Sequence, residues 1–164
     1  MPEQTRKFVV MTISDSCYAG KREDAGGPLL IQQIESLPLV LYEHLVLPDE
    51  EQFIAHSLKE YAAVPEVCLI ATTGGTGISP RDVTPEATLS VIERPLPGMA
   101  EAMRQYSLNQ TPFAMLSRQV VGVIRQTLII NFPGSPKAVN ECFQVIQPVL
   151  LHTIDLIRGK TEHP

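Results

Sequence analysis

Val67-Cys-Leu-Ile-Ala-Thr72 runs without interruption into Thr73-Gly-Gly-Thr-Gly77, followed by Ile78-Ser-Pro-Arg-Asp-Val-Thr-Pro85. An apolar, β-branched run of this length that stops on three glycines reads as a buried strand breaking into a tight loop. Gly74, Gly75 and Gly77 carry no β-carbon to obstruct an anion. They also tolerate positive φ, so that successive N–H groups can converge on a phosphate. Thr72 and Thr76 flank and interrupt that cradle. A plain tight turn needs the same residue types, and the glycines alone leave both readings open. Asp82 favours the cradle, because a carboxylate beside a phosphate loop makes sense when a cation intervenes, and Mg²⁺ takes one or two carboxylates together with phosphate oxygens. Its plainer role is a helix-terminal charge or a partner for Arg81. No Walker lysine follows Gly77 and no Gly-x-Gly-x-x-Gly fingerprint is present, which disfavours P-loop and dinucleotide readings.

Working outward, three more strand-like runs occur, Phe8 to Ile13, Val40 to Val46 and Thr127 to Asn131. Helical spacing lies between them: Leu29, Leu30, Ile34 and Leu37 share one face, and Phe53, Ile54, Leu58 and Tyr61 another. Strands alternating with amphipathic helices predict an α/β domain of three layers (α/β/α) around a mostly parallel sheet. The 164 residues suit one domain spanning 1–164. Asp49 and Thr84 are expected to cap helices, Pro97 and Pro136 to open two more, and the last helix to run to about Arg158 with Gly159 as its stop. The tail from Lys160 to Pro164 is expected to fray.

A net charge of −5 and the lack of a basic cluster argue against nucleic acid as a partner. Apolar runs fall far short of the ~20 residues of a membrane span. The polar start, Met1 to Lys7, offers no export signal, and Cys17, Cys68 and Cys142 suggest neither a disulfide framework nor a zinc site, so a cytoplasmic location is expected. The histidines lack ligand spacing, Met99, Met103 and Met115 read as core, and Lys137 as a solvated surface residue.

Other strand ends should converge with the glycine loop on one rim of the sheet, where open α/β sheets bind ligands. These are Ser14-Asp15-Ser16-Cys17 with Asp24-Ala-Gly-Gly-Pro28, Asp49, and the turn Asn131-Phe-Pro133-Gly134-Ser-Pro136. Ser117-Arg118 adds a hydroxyl beside a guanidinium suited to an oxyanion.

Thr72-Thr-Gly-Gly-Thr-Gly77 with Arg81-Asp-Val-Thr-Pro85, Pro97-Gly98, Thr111-Pro-Phe-Ala-Met-Leu-Ser-Arg118 and Thr127-Leu-Ile-Ile-Asn-Phe-Pro-Gly134 together resemble the molybdopterin adenylyltransferases of the MogA/MoaB group, and are similar to the G domain of gephyrin and its plant counterpart. The resemblance implies a molybdopterin-binding fold, a homotrimer, and Mg-ATP-dependent adenylylation of molybdopterin with release of pyrophosphate, ahead of hand-over to a molybdenum-insertion protein. It puts the catalytic, metal-holding acidic pair on Asp49 and Asp82. Phosphate and pterin contacts fall on Ser14, Asp15, Ser16, Thr72, Gly74, Gly75, Thr76, Gly77, Ser117, Arg118, Asn131, Pro133 and Gly134. Two departures stand out: Gly26 lacks the hydroxyl that many relatives carry there, and Gln126 follows Arg125 where many have glycine. The alternative is a paralogue that binds or delivers the pterin without transferring AMP.

Overall fold

The computed structural model describes residues 5–161, so the end of the expected frayed tail, 162–164, lies outside the described residues. Six strands form one sheet: β1 (Lys7–Ile13), β2 (Val40–Leu47), β3 (Val67–Thr73), β4 (Arg94–Pro95), β5 (Val121–Ile124) and β6 (Thr127–Phe132), in the order β2-β1-β3-β6-β5-β4. The four runs read from the sequence pair in parallel, while β5 and β4 add antiparallel to one edge. Helices are α1 (Asp15–Tyr18), α2 (Gly26–Ile34), α3 (Glu51–Ala62), α4 (Thr84–Val91), α5 (Pro97–Leu108) and α6 (Pro136–Ile157), with a 3₁₀ turn at Pro112–Leu116. None of the described helices is long and apolar enough to cross a membrane.

Side chains alternate across a strand, so β1 serves two cores. Phe8 and Val10 pack with Leu30 and Ile34 of α2, Met99 and Met103 of α5, and Phe143 and Ile146 of α6. Val9, Met11 and Ile13 pack on the other face with Ile54 and Leu58 of α3 and Ala87 and Val91 of α4. Both faces of β1 and β3 are thereby covered, as the expected three layers require. Phe53 departs from its predicted stripe and is exposed, because at ~100° per residue the buried arc of α3 is Ile54, Ser57, Leu58 and Ala62. Met115 is exposed as well, on a turn too short to bury every apolar side chain, whereas Met103 is fully buried.

The edge hairpin escaped the sequence reading. Arg125 and Gln126 connect β5 to β6, and Arg125 sits at φ 53°, the left-handed conformation a two-residue hairpin demands and for which glycine or asparagine is the usual cue. Two expected caps are also corrected. Glu50, without a side-chain bond, begins α3, and Asp49 is engaged elsewhere. Thr84 lies inside α4, its hydroxyl donating to Gly74 O at 3.0 Å rather than capping the helix.

Thr72 and Asn131, expected to touch ligand, are instead fully buried between β3, β6 and α4. Asn131 Nδ2 donates to Thr72 Oγ1 and Thr88 Oγ1, both at 3.0 Å, and its Oδ1 accepts from Val120 N at 3.1 Å. A closed set of buried hydrogen bonds of this kind is costly to open. Asn131→Ala leaves the Thr72 hydroxyl and the Val120 N–H without a partner, takes one from the Thr88 hydroxyl, which still donates to Thr84 O, and is expected to lower unfolding stability by ~2–4 kcal/mol, read from urea denaturation.

Candidate functional site

Hydrogen bonds beyond the strand ends fix the loops of the rim. Ser14 N donates to Leu47 O at 2.9 Å and Gly74 N to Phe132 O at 3.2 Å, so the chain leaves β1, β2, β3 and β6 at one level. Gly74 (φ 99°) and Gly75 (φ 66°) then turn in the left-handed region. A β-carbon on Gly74 would stand 2.3 Å from Ile13 O, and one on Gly75 2.4 Å from Thr84 Oγ1. Among the described residues the N–H groups of Gly75, Thr76 and Gly77 have no partner, as a cradle requires.

Two clefts flank this loop. The first, about 230 Å³, is lined by Ser14, Asp49, Gly74, Gly75, Asp82 and Gly134, together with Thr12, Arg22, Glu23, Asp24 and Gly26. The second, about 270 Å³, has a largely apolar wall that includes Phe113, Ala114 and Leu116, and it takes in Thr76, Gly77, Ser117 and Pro133. The acidic pair is therefore brought together in one cleft, and the glycine loop divides that cleft from an apolar neighbour. Asp24 to Gly26 belong to the rim expected from the sequence but were not named as contact residues, and Arg22 and Glu23 carried no signal. Asp24 Oδ1 accepts from Gly27 N at 2.9 Å, Oδ2 accepts from Thr12 Oγ1 at 2.6 Å, and His44 Nε2 lies 3.0 Å from that hydroxyl. In the second cleft, the large apolar side chains of Phe113 and Leu116, both exposed and on one short turn, were the signal that was missed.

Asp15, Ser16 and Arg118 line neither cleft. Asp15 and Asp49 brace each other: Asp15 N donates to Asp49 Oδ2 at 2.8 Å and Asp49 N to Asp15 Oδ1 at 2.9 Å. Arg81 donates to both Asp15 oxygens, at 3.0 and 3.1 Å. That guanidinium, then the Asp49 N–H, holds the Asp15 carboxyl below the usual carboxylate range. Ser14 caps α1 through Cys17 N, and Ser16 bonds to Ser14. Arg118, expected to hold an oxyanion, directs its guanidinium at protein carbonyls and at Glu86.

Asp49 is pushed the other way. Burial raises its pKa, and the neighbouring charges of Asp15 and Asp82 add to the rise against the bond from Asp15 N. Neither Asp49 nor Asp82 has an ion-pair partner among the described residues. Each keeps its Oδ1 free, since Asp82 Oδ2 accepts from Ser79 N at 3.0 Å. Asp82 Oδ2 also stands 2.8 Å from where a Gly77 β-carbon would be, and Asp49 Oδ1 3.1 Å from that of Gly75, so both carboxylates lean over bare glycine backbone. Two carboxylates with free oxygens, mutual repulsion and no cationic partner form a donor set that fits Mg²⁺, a cation that takes few protein ligands and completes its shell with phosphate and water. No cluster of three or more such side chains exists among the described residues.

The raised Asp49 pKa has a definite sign. The folded state takes up the Asp49 proton more readily than the unfolded chain, so stability is lost as pH rises through the carboxylate range. Asp49→Asn removes that charge at constant shape. Without divalent metal, its melting temperature is expected to exceed that of the parent protein at neutral pH, and the gain to shrink near pH 4, about the reference carboxylate value.

A family model described as a probable molybdopterin binding domain matches residues 9–152. A Helicobacter pylori molybdopterin adenylyltransferase is 40% identical over 95% of this chain and 90% of its own, and the Escherichia coli K12 protein of the same name 41% identical over 87% and 74%. The Drosophila melanogaster molybdenum cofactor synthesis protein cinnamon is 43% identical over 92% of this chain, which spans 25% of that protein's length. Among solved structures, the molybdopterin biosynthesis enzyme MoaB from Thermus thermophilus superposes with a TM-score of 0.89 at 40% identity, covering 95% of this chain and 98% of its own. With the match running from β1 into α6 and the fold shared throughout, the chain belongs to the molybdopterin binding domain family.

Proposed function

We infer that the protein is a molybdopterin adenylyltransferase of molybdenum cofactor biosynthesis, using ATP and Mg²⁺ in the cytoplasm. The observation that carries the reading is the meeting of Asp49 and Asp82 in one cleft against a glycine loop with free N–H groups, beside a second cleft with an apolar wall. Such a pair of clefts can seat two substrates with their phosphates meeting at the shared loop. The names of relatives at about 40% identity support the same chemistry.

In the reaction, an oxygen of the terminal phosphate of molybdopterin forms a bond to the α-phosphorus of ATP. The bond from that phosphorus to pyrophosphate breaks, giving adenylylated molybdopterin. A phosphate monoester with a second pKa of about 6 is already anionic at neutral pH, so no strong general base is needed, which suits a cleft whose wall holds no histidine. Gly75, Thr76 and Gly77 direct N–H groups at the reacting phosphates, offsetting repulsion between two polyanions. Asp49 and Asp82 would hold Mg²⁺, which when bound neutralises phosphate charge. Arg81 and the Asp15 brace keep Asp49 in place. Passive binding or delivery of the pterin is the weaker alternative, since a carrier has little use for two unpaired carboxylates beside phosphates.

A closed homotrimer, implied by the family resemblance, is part of the same proposal, and the exposed Met115, which lines neither cleft, supplies apolar surface for such an interface. Sedimentation at micromolar concentration should find a species about three times the 18.1 kDa chain, and a monomer alone refutes it. For the activity, ATP-dependent pyrophosphate release in the presence of molybdopterin is the direct assay. Asp82→Asn, folded by circular dichroism, is expected to lose at least about 100-fold in turnover. Near-normal turnover removes Asp82 from the chemistry.

A further inference from the structure

The segment from Gly77 to Asp82 contains no regular secondary structure, yet it must present the Asp82 carboxylate to the acidic cleft. Its internal bonds are few: Asp82 N donates to Ser79 O at 2.9 Å, and Ser79 N to Asp82 Oδ2 at 3.0 Å. These close the tip of the loop, which Arg81 ties outward to Asp15. Arg118 secures its two ends. Its backbone N donates to Thr76 O at 2.8 Å, its Nε to Gly77 O at 2.7 Å, and its Nη2 to Asp82 O at 2.8 Å, while Nη1 pairs with Glu86 on the first turn of α4. One residue thus grips both ends of the loop and anchors it to a helix. Only a planar fork with donors on three nitrogens can hold two carbonyls and a carboxylate at once; a lysine ammonium cannot reproduce that geometry. Arg118 is itself held, because it follows Ser117, whose carbonyl accepts from Arg104 Nη1 at 2.8 Å. The second oxygen of Glu86 is buried without a hydrogen-bond partner, so this carboxylate is kept in place by the arginine.

We propose that Arg118 is a positioning residue that holds Asp82 in metal-binding register through the backbone carbonyls of Gly77 and Asp82, with Glu86 as its anchor. This rests on the reading of Asp82 as a metal ligand. It replaces contact with an oxyanion by a structural grip, and it joins the wall of the apolar cleft, where Ser117 lies, to the carboxylate of the acidic one. Outer residues that orient metal ligands typically change metal affinity by ~10–100-fold when altered.

The test is Mn²⁺ binding, followed by electron paramagnetic resonance on the intact protein with a non-hydrolysable ATP analogue, for Arg118→Gln, Glu86→Gln, Asp82→Asn and the Arg118→Gln/Asp82→Asn double variant. Arg118→Gln is expected to weaken Mn²⁺ by about 10-fold and Glu86→Gln by less. The double variant should bind no more weakly than Asp82→Asn alone, because Arg118 acts through that carboxylate. If Asp82→Asn weakens Mn²⁺ while Arg118→Gln leaves it unchanged, or if the two losses simply add, the role of Arg118 is overturned and the metal role of Asp82 stands. Unchanged affinity in Asp82→Asn overturns both. Should Arg118→Gln not fold, Glu86→Gln decides: a weakened Mn²⁺ signal at unchanged melting temperature supports the grip, and unchanged affinity refutes it.

Discussion

Beyond the paired ends of β1 and β3, Gly74 packs against Ile13 O at a separation that only a residue without a side chain allows. Ile13 O occupies the space where a β-carbon would be, and the φ of 99° lets the chain turn away instead of continuing the strand. From that close approach the rest of the rim follows. The loop after β3 lies over the loop after β1, Asp49 reaches both, and the Thr84 hydroxyl ties the turn to α4. The position is the switch point of the sheet, where successive crossovers depart to opposite sides and a crevice opens. A larger residue at 74 would separate two strand ends before it disturbed any ligand.

A second constraint is electrostatic. Burial first, then the charges of Asp15 and Asp82, raises the pKa of Asp49 in the acidic cleft, which lacks an ion-pair partner for either member of the acidic pair among the described residues. Arg81, the nearest cation in sequence, is taken by Asp15 and approaches Glu50 at 4.0 Å. The protein thus gives up stability at its cleft and recovers order at the periphery, a pattern typical of sites that must receive charge from outside.

Much of this was legible in the sequence, and the omissions have physical causes. The parallel strands are largely apolar, β1 and β3 on both faces, and β2, β3 and β6 have proline or glycine close to an end, so the α/β class could be read from them. β5 and β4 are four and two residues long, and β5 joins β6 through a turn without glycine, which leaves too little pattern to detect. At the site, residue types announced Asp82 and the glycine loop, because a carboxylate is unusual beside a phosphate, and the family resemblance added Asp49 as its partner. They did not distinguish a polar side chain that faces a ligand from one that faces the protein. Asn131, Thr72 and Arg118 each have donors or acceptors suited to either task, and which task they serve depends on neighbours distant in sequence.

Gly26 carries a consequence for how this site can change over evolutionary time. A β-carbon there would lie 3.1 Å from Thr73 Oγ1 and 3.2 Å from Gly134 O. The Thr73 hydroxyl is committed to Pro133 O at 2.7 Å, and the other neighbour is main chain, so neither is a loose side-chain end that swings aside. Replacing Gly26 by serine is therefore not an isolated step. Residue 26, the threonine at the end of β3 and the turn after β6 form one epistatic unit, and a lineage holding glycine here keeps it until the other two have shifted.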